Sequence, residues 1–171
     1  MVVPLVRNKE KFKNYGGYTM SYKCELVDKK AQPVLTVRTR TAMQELPHFF
    51  AKAYGAIAQY LGELGEQPAG APFAAYYNMY MQDLDVEAGF PVRSSLPAKG
   101  EINAGEIAGG KYATRMHQCP YDKVEPAYTA LAEFLKQKRL EATGVAYEIY
   151  LNDPASTPAQ ELMTQIMFPI K

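Results

Sequence analysis

The sequence has no tryptophan, two cysteines and two histidines among its 171 residues. It also lacks any apolar run of the roughly eighteen residues that a helix needs to span a membrane. Cys24 and Cys119 stand far apart, which fits a reduced, cytoplasmic chain and not a disulfide scaffold. His48 and His117 have no Cys or carboxylate neighbours at metal-ligand spacing, so neither a metal nor a cofactor is expected. No glycine-rich phosphate loop and no Gly-x-Ser-x-Gly elbow occurs. Charge of one sign is missing too. Nineteen basic residues against eighteen acidic ones leave a net charge of +1, without the basic footprint of a duplex DNA binder. The opening stretch MVVPLVRNKEKFKNYGG is too poor in apolar residues for a signal peptide.

What is present is apolar and phenolic. Hydrophobic residues make up 47% of the chain, enough for a real core, and thirteen of them are tyrosine. Tyrosine joins a flat apolar face to a polar tip, which serves a core and a ligand pocket equally well.

An internal repeat organises the chain. Tyr54 precedes Gly70 by sixteen residues, and Tyr128 precedes Gly144 by the same sixteen. Within that frame Ala58 matches Ala132, Tyr60 matches Phe134 and Leu61 matches Leu135. Phe90-Pro91-Val92 is echoed by Phe168-Pro169-Ile170. Each half reads strand, strand, helix, strand, strand. In the first helix Phe50, Tyr54, Ile57, Leu61 and Leu64 recur at steps of three and four. In the second, Val124, Ala127, Tyr128, Leu131, Phe134 and Leu135 do the same. Pro47 and Pro120 fall at or just before the first turns, and Lys136, Lys138 and Arg139 complement the dipole of the last one. Cys119, beside Pro120, reads as a small buried residue at a bend before it reads as an activated thiolate.

The strand segments are 34–39, 73–80, 111–118, 145–151 and 162–168, with weaker ones at 22–27, 85–92 and 101–107. Asp28-Lys29-Lys30 and Gly109-Gly110 fit hairpin turns. The expectation is an α+β protein: duplicated ββαββ modules forming one curved, mainly antiparallel eight-stranded sheet with two long helices and a pseudo-two-fold axis. Residues 1–20 form an arm or leader, residues 21–171 a single domain with halves of about 21–93 and 100–171.

One carboxylate stands out. Glu148 lies in VAYEIYL, where alternation puts Ala146, Glu148 and Tyr150 on one face, Tyr147 and Ile149 on the other. If Tyr147 and Ile149 pack on a helix, Glu148 points to the opposite side. The repeat makes Asn78 its counterpart, flanked by Tyr76 and Tyr80. Three readings follow: a solvent-facing acid, an acid paired with Arg38 or Arg115, or an acid among phenol rings at the junction of the halves. The third would favour a cationic, flat ligand or hold a general acid or base. Phe90, Tyr112 and Phe168 complete the candidate aromatic set beside Tyr76, Tyr80 and Tyr150.

The segment YEIYLNDPASTPAQELMTQIMFPI (147–170) resembles the closing signature of the GyrI-like small-molecule-binding superfamily, the effector-binding domains of AraC-type and MerR-type transcription regulators and their stand-alone relatives. The matching features are Glu148-Ile149-Tyr150 followed by Asn152-Asp153-Pro154, Thr157-Pro158 before Glu161, and a last strand ending at Pro169. HQCPYDKVEPAYTAL (117–131) is similar to the family's entry into its second helix, with Cys119 where the family has glycine. The resemblance covers residues 20–171. It implies a concave sheet with the ligand at the junction of two modules, and a strand glutamate at Glu148 facing hydrophobic, often cationic aromatic compounds. It implies no direct nucleic-acid contact, since no helix-turn-helix precedes the domain. The expected function is ligand binding or sensing. A hydrolase of electrophilic small molecules, with Glu148 as general base and a tyrosine as acid, is the enzymatic alternative. A gyrase-inhibitor-like interaction module is the third.

Overall fold

The computed structural model describes residues 13–15, 18–20, 23–118 and 123–171. Cys119 and Pro120 lie outside the described residues, as does most of the 1–20 arm. Two short strands, β1 (Lys13–Tyr15) and β2 (Tyr18–Met20), form a separate antiparallel ladder.

Two ββαββ modules make up the rest. The first contains β3 (Glu25–Lys29), β4 (Gln32–Thr41), α1 (Leu46–Glu63), β5 (Phe73–Tyr76) and β6 (Leu84–Pro91). The second contains β7 (Asn103–Ile107), β8 (Gly110–Gln118), α2 (Glu125–Gln137), β9 (Ala146–Tyr150) and β10 (Met163–Pro169). Their eight strands form one antiparallel sheet in the order β3-β8-β10-β9-β5-β6-β4-β7. Exchanging each strand for its equivalent in the other module reproduces this order in reverse, as a pseudo-two-fold axis through β5 and β9 requires.

A spacing of 74 residues relates the helices. Ala53, Ile57 and Leu61 are buried on α1, and Ala127, Leu131 and Leu135 at the same spacing on α2. Each stripe recurs at steps of four, so one face of each helix meets the sheet. Ile57 and Leu131 are fully buried, each contributing about 1.5–3 kcal/mol. Pro47 and Pro126 occupy the first turns, where a missing N–H costs no helical bond. Gly65 ends α1 at φ +68°, and the Glu66 N–H donates back to the Leu61 carbonyl at 2.8 Å. Arg139 takes the equivalent place after α2 at φ +55°, with Leu140 N–H donating to Leu135 at 2.9 Å.

The hairpin expectation needs correction. Consecutive strands β3 and β4 are joined by two residues, yet they do not pair: β3 pairs with β8, and β4 with β6 and β7. The modules have exchanged their first strands. Short links between the first and seventh strands, and between the eighth and second, can be made only if the sheet curls. The result is a half-barrel.

The expectation for the two sheet faces is also reversed. Glu148 pairs directly with Ala74 and Ile166, and both belong to the clusters that pack beneath the helices. The helices therefore cover the face of Glu148 and Tyr150, and Tyr147 and Ile149 point into the curl. Alternation separates two faces correctly, but a strand with large apolar side chains on both does not reveal which one a helix will cover.

Candidate functional site

Glu148 sits at the middle of the sheet, where β9 meets β5, and is 7% exposed. Its carboxylate accepts a hydrogen bond from the Tyr128 hydroxyl of α2 and a second, at 3.3 Å, from the Tyr150 hydroxyl. Tyr150 and Tyr76 bring their hydroxyls within 3.3 Å of each other. Around this acid–phenol group the rings form a belt. Phe50 of α1 packs on Tyr150 at 5.9 Å and stacks on Tyr54 at 5.6 Å. Tyr54 meets Phe90 edge-on at 5.4 Å, and Tyr128 meets Phe168 at 5.5 Å.

The electrostatics follow from burial. Removal from water raises the Glu148 pKa, against the donors Tyr128 and Tyr150, which lower it. Burial and then the Glu148 charge raise Tyr76, Tyr128 and Tyr150 above the ordinary phenol value, so all three remain neutral donors. No cation forms an ion pair with Glu148 among the described residues. Arg38 instead holds Asp85 through two 2.8 Å bonds, and Arg115 approaches Cys24 at 4.0 Å. A buried carboxyl without a cation favours its protonated form, or a cation brought from outside.

Of the residues singled out from the sequence, Glu148, Tyr150 and Tyr76 come together, with Phe90 and Phe168 at the two ends of the belt. Asn78, Tyr80 and Tyr112 do not join them. Strand β5 ends at Tyr76, and Asn78 staples the following turn, accepting from the Asp85 N–H at 3.1 Å and donating to the Asp83 carbonyl at 3.0 Å. Its side chain is consumed by the turn. The true counterpart of Glu148 is Ala74, at the same spacing of 74 and directly paired with it. Tyr80 is 73% exposed in that turn. Tyr112 lies on the opposite sheet face, its hydroxyl donating to the Ala108 carbonyl at 2.5 Å.

The sequence reading missed Tyr128, Tyr54 and Phe50 as site residues. Tyr54 and Tyr128 define the repeat, which was itself the available signal: both sit where a helix faces the sheet axis. Glu148 does not line the clefts of about 580 and 370 Å³ that open elsewhere on the described surface. The site is closed, with Tyr128 and Tyr150 packed onto the carboxylate. Among the described residues, no three His, Cys, Asp or Glu side chains gather as metal ligands. No helix among them is long and apolar enough to cross a membrane.

A paired ββαββ sheet with an acid under phenols at its axis defines a two-module α+β fold with a polar group buried at its centre. Residues 22–171 match the GyrI-like small molecule binding domain, and the chain belongs to this family. No curated protein matches the sequence. Among solved structures, the EcmrR–DNA complex is similar at TM-score 0.77 and 21% identity, covering 87% of this chain and 57% of that one. This chain thus spans little more than half the length of EcmrR. A hydrolase encoded by lin2189 from Listeria innocua is similar at TM-score 0.65 and 12% identity, covering 90% and 94% of the two chains. SAV2435 bound to tetraphenylphosphonium is similar at 0.61 and 12%, covering 87% and 94%. At these identities the likeness is one of fold.

Proposed function

We propose that the protein binds or senses flat, hydrophobic organic cations at Glu148, at the junction of the two modules beneath α1 and α2. One observation carries the reading: a deeply buried carboxyl has two phenol donors and, among the described residues, no cation. A cation entering beside it would supply the missing charge, and Tyr76, Tyr150, Phe50, Phe90 and Phe168 would supply ring surface. Entry requires the Tyr128 and Tyr150 hydroxyls to give way. In this reading the protein is a cytoplasmic unit that sequesters a compound or reports it to a separate partner.

The test is calorimetric titration with tetraphenylphosphonium, which the structural neighbour SAV2435 holds. Saturable binding to the wild-type protein is expected, weakened about tenfold or more in Glu148→Gln, a loss of about 1.4 kcal/mol. Equal affinity in both proteins would remove Glu148 from the site. The second reading, hydrolysis of an electrophile, draws on the Tyr128–Glu148 hydrogen bond, which couples a carboxyl of raised pKa to a phenolic donor. Mass spectrometry after incubation with an alkylating electrophile separates the two, since turnover lost in Glu148→Gln marks a hydrolase.

A further inference from the structure

The opposite face of the sheet holds a second cleft that the Glu148 site does not use. It lies inside the curl, at the end where the exchanged strands cross. Phe73, Ile149 and Met167 form its floor, and Tyr112 forms one wall. Direct pairing of Ala74 with Glu148 puts their neighbours Phe73 and Ile149 on the far face. The cleft encloses about 370 Å³, within the range of small-ligand pockets.

Its mouth has one sign of charge. Lys29, the last residue of β3, and Lys30, the first of the link to β4, both exposed, line it. No acidic side chain pairs with either among the described residues, and none lines the cleft. Asp28, next to Lys29, and Glu106, next to the lining residue Ile107, are absent from the lining. The lysine-bearing link is also held in place. A Cβ on Gly109 would stand 2.9 Å from the Ala31 nitrogen and 3.2 Å from the Lys29 carbonyl, so the two crossing links touch backbone to backbone. The Tyr112 hydroxyl is committed to Ala108, which leaves the ring as the surface a ligand would meet.

An apolar floor beneath two unpaired ammonium groups matches one ligand chemistry. We propose that this cleft binds a compact organic anion, a flat ring system or short alkyl body carrying a single carboxylate or sulfonate. The apolar body lies on Phe73, Ile149 and Met167, and the anionic group lies between Lys29 and Lys30. The two faces then take ligands of opposite charge, separated by the thickness of the sheet.

The probe is 8-anilinonaphthalene-1-sulfonate, followed by its fluorescence and by calorimetry on the full chain. One saturable molecule per chain is expected, with affinity that falls as salt rises. Lys29→Ala/Lys30→Ala, at two exposed positions, should weaken it about tenfold. The neutral analogue N-phenyl-1-naphthylamine should bind the wild-type and doubly substituted proteins alike. Ala71→Phe, which fills the cleft from its loop wall, should abolish binding while thermal melting remains cooperative. Glu148→Gln should leave the sulfonate affinity unchanged, so this proposal stands or fails separately from the cation site. Sulfonate affinity unchanged in the double-lysine variant would overturn it. So would displacement by tetraphenylphosphonium, loss in Glu148→Gln, or the absence of saturation.

Discussion

The two modules place a tyrosine at the same point of the same helix, and the two tyrosines do different work. Tyr54 donates to a backbone carbonyl, that of Phe73, at 2.8 Å, whereas Tyr128 donates to the Glu148 carboxylate. The difference arises one layer below, where Ala74 and Glu148 face each other across the axis. A symmetric frame supplies position and burial; a single unmatched residue supplies charge. One half of the axis is plain core, and the other is a polarised site that the same packing has made costly to ionise.

Restoring symmetry should have the largest effect. Ala74→Glu sets a second carboxylate opposite the first in a fully buried position, and should cost about 3–5 kcal/mol in urea unfolding at neutral pH. A near-neutral result would mean that the axis is wetter than its burial implies.

The tyrosines give the next step. Tyr128→Phe removes a donor to a buried acid and should cost about 1.5–3 kcal/mol, while Tyr54→Phe should cost about 0.5–1.5 kcal/mol. Equal losses in denaturant titrations would erase the distinction between the halves.

The pH profile tests the same asymmetry through linkage. Burial raises the Glu148 pKa in the folded chain, so its contribution to stability is fully present below the unfolded carboxylate value. That contribution is lost as pH rises through the raised folded value. Glu148→Gln should therefore gain stability relative to the wild-type protein between acid and neutral pH, read as the difference in Tm. A constant difference across that window would contradict the raised pKa.

The smallest effect concerns the helix ends. Gly65 and Arg139 hold the same left-handed position, which only glycine takes without steric cost. Arg139→Gly should stabilise the protein by about 1 kcal/mol, measured by thermal unfolding, and Gly65→Arg should destabilise it by a similar amount.

The family signature divides cleanly between these roles. Glu148 and Tyr150 enter the acid–phenol group at the sheet axis. Asn152 and Asp153 hold the next loop, with the Asn152 Oδ1 accepting from Met163 N–H at 2.9 Å and the Asp153 Oδ1 from Ala155 N–H at 2.8 Å. Helices, strands and the acid were legible because periodicity and an out-of-place charge are local properties. The counterpart Ala74 was misplaced because the polar Asn78 drew the match four residues past the position that the 74-residue spacing of the helices gives. The strand exchange was illegible for a different reason. A two-residue link signals a turn, but it does not say whether the chains on either side of it pair with each other or with strands far away.

That exchange has a consequence for how the molecule comes into being. Among the described residues, strand β3 has its only sheet partner in the other module, and β7 likewise. Neither module can complete its hydrogen-bond ladder before its sibling has been synthesised. Contacts of this range are entropically slow to form, so assembly waits for nearly the whole chain. The two modules are therefore interlocked into one cooperative unit, and a gene cut between them should yield fragments that acquire structure only in each other's company.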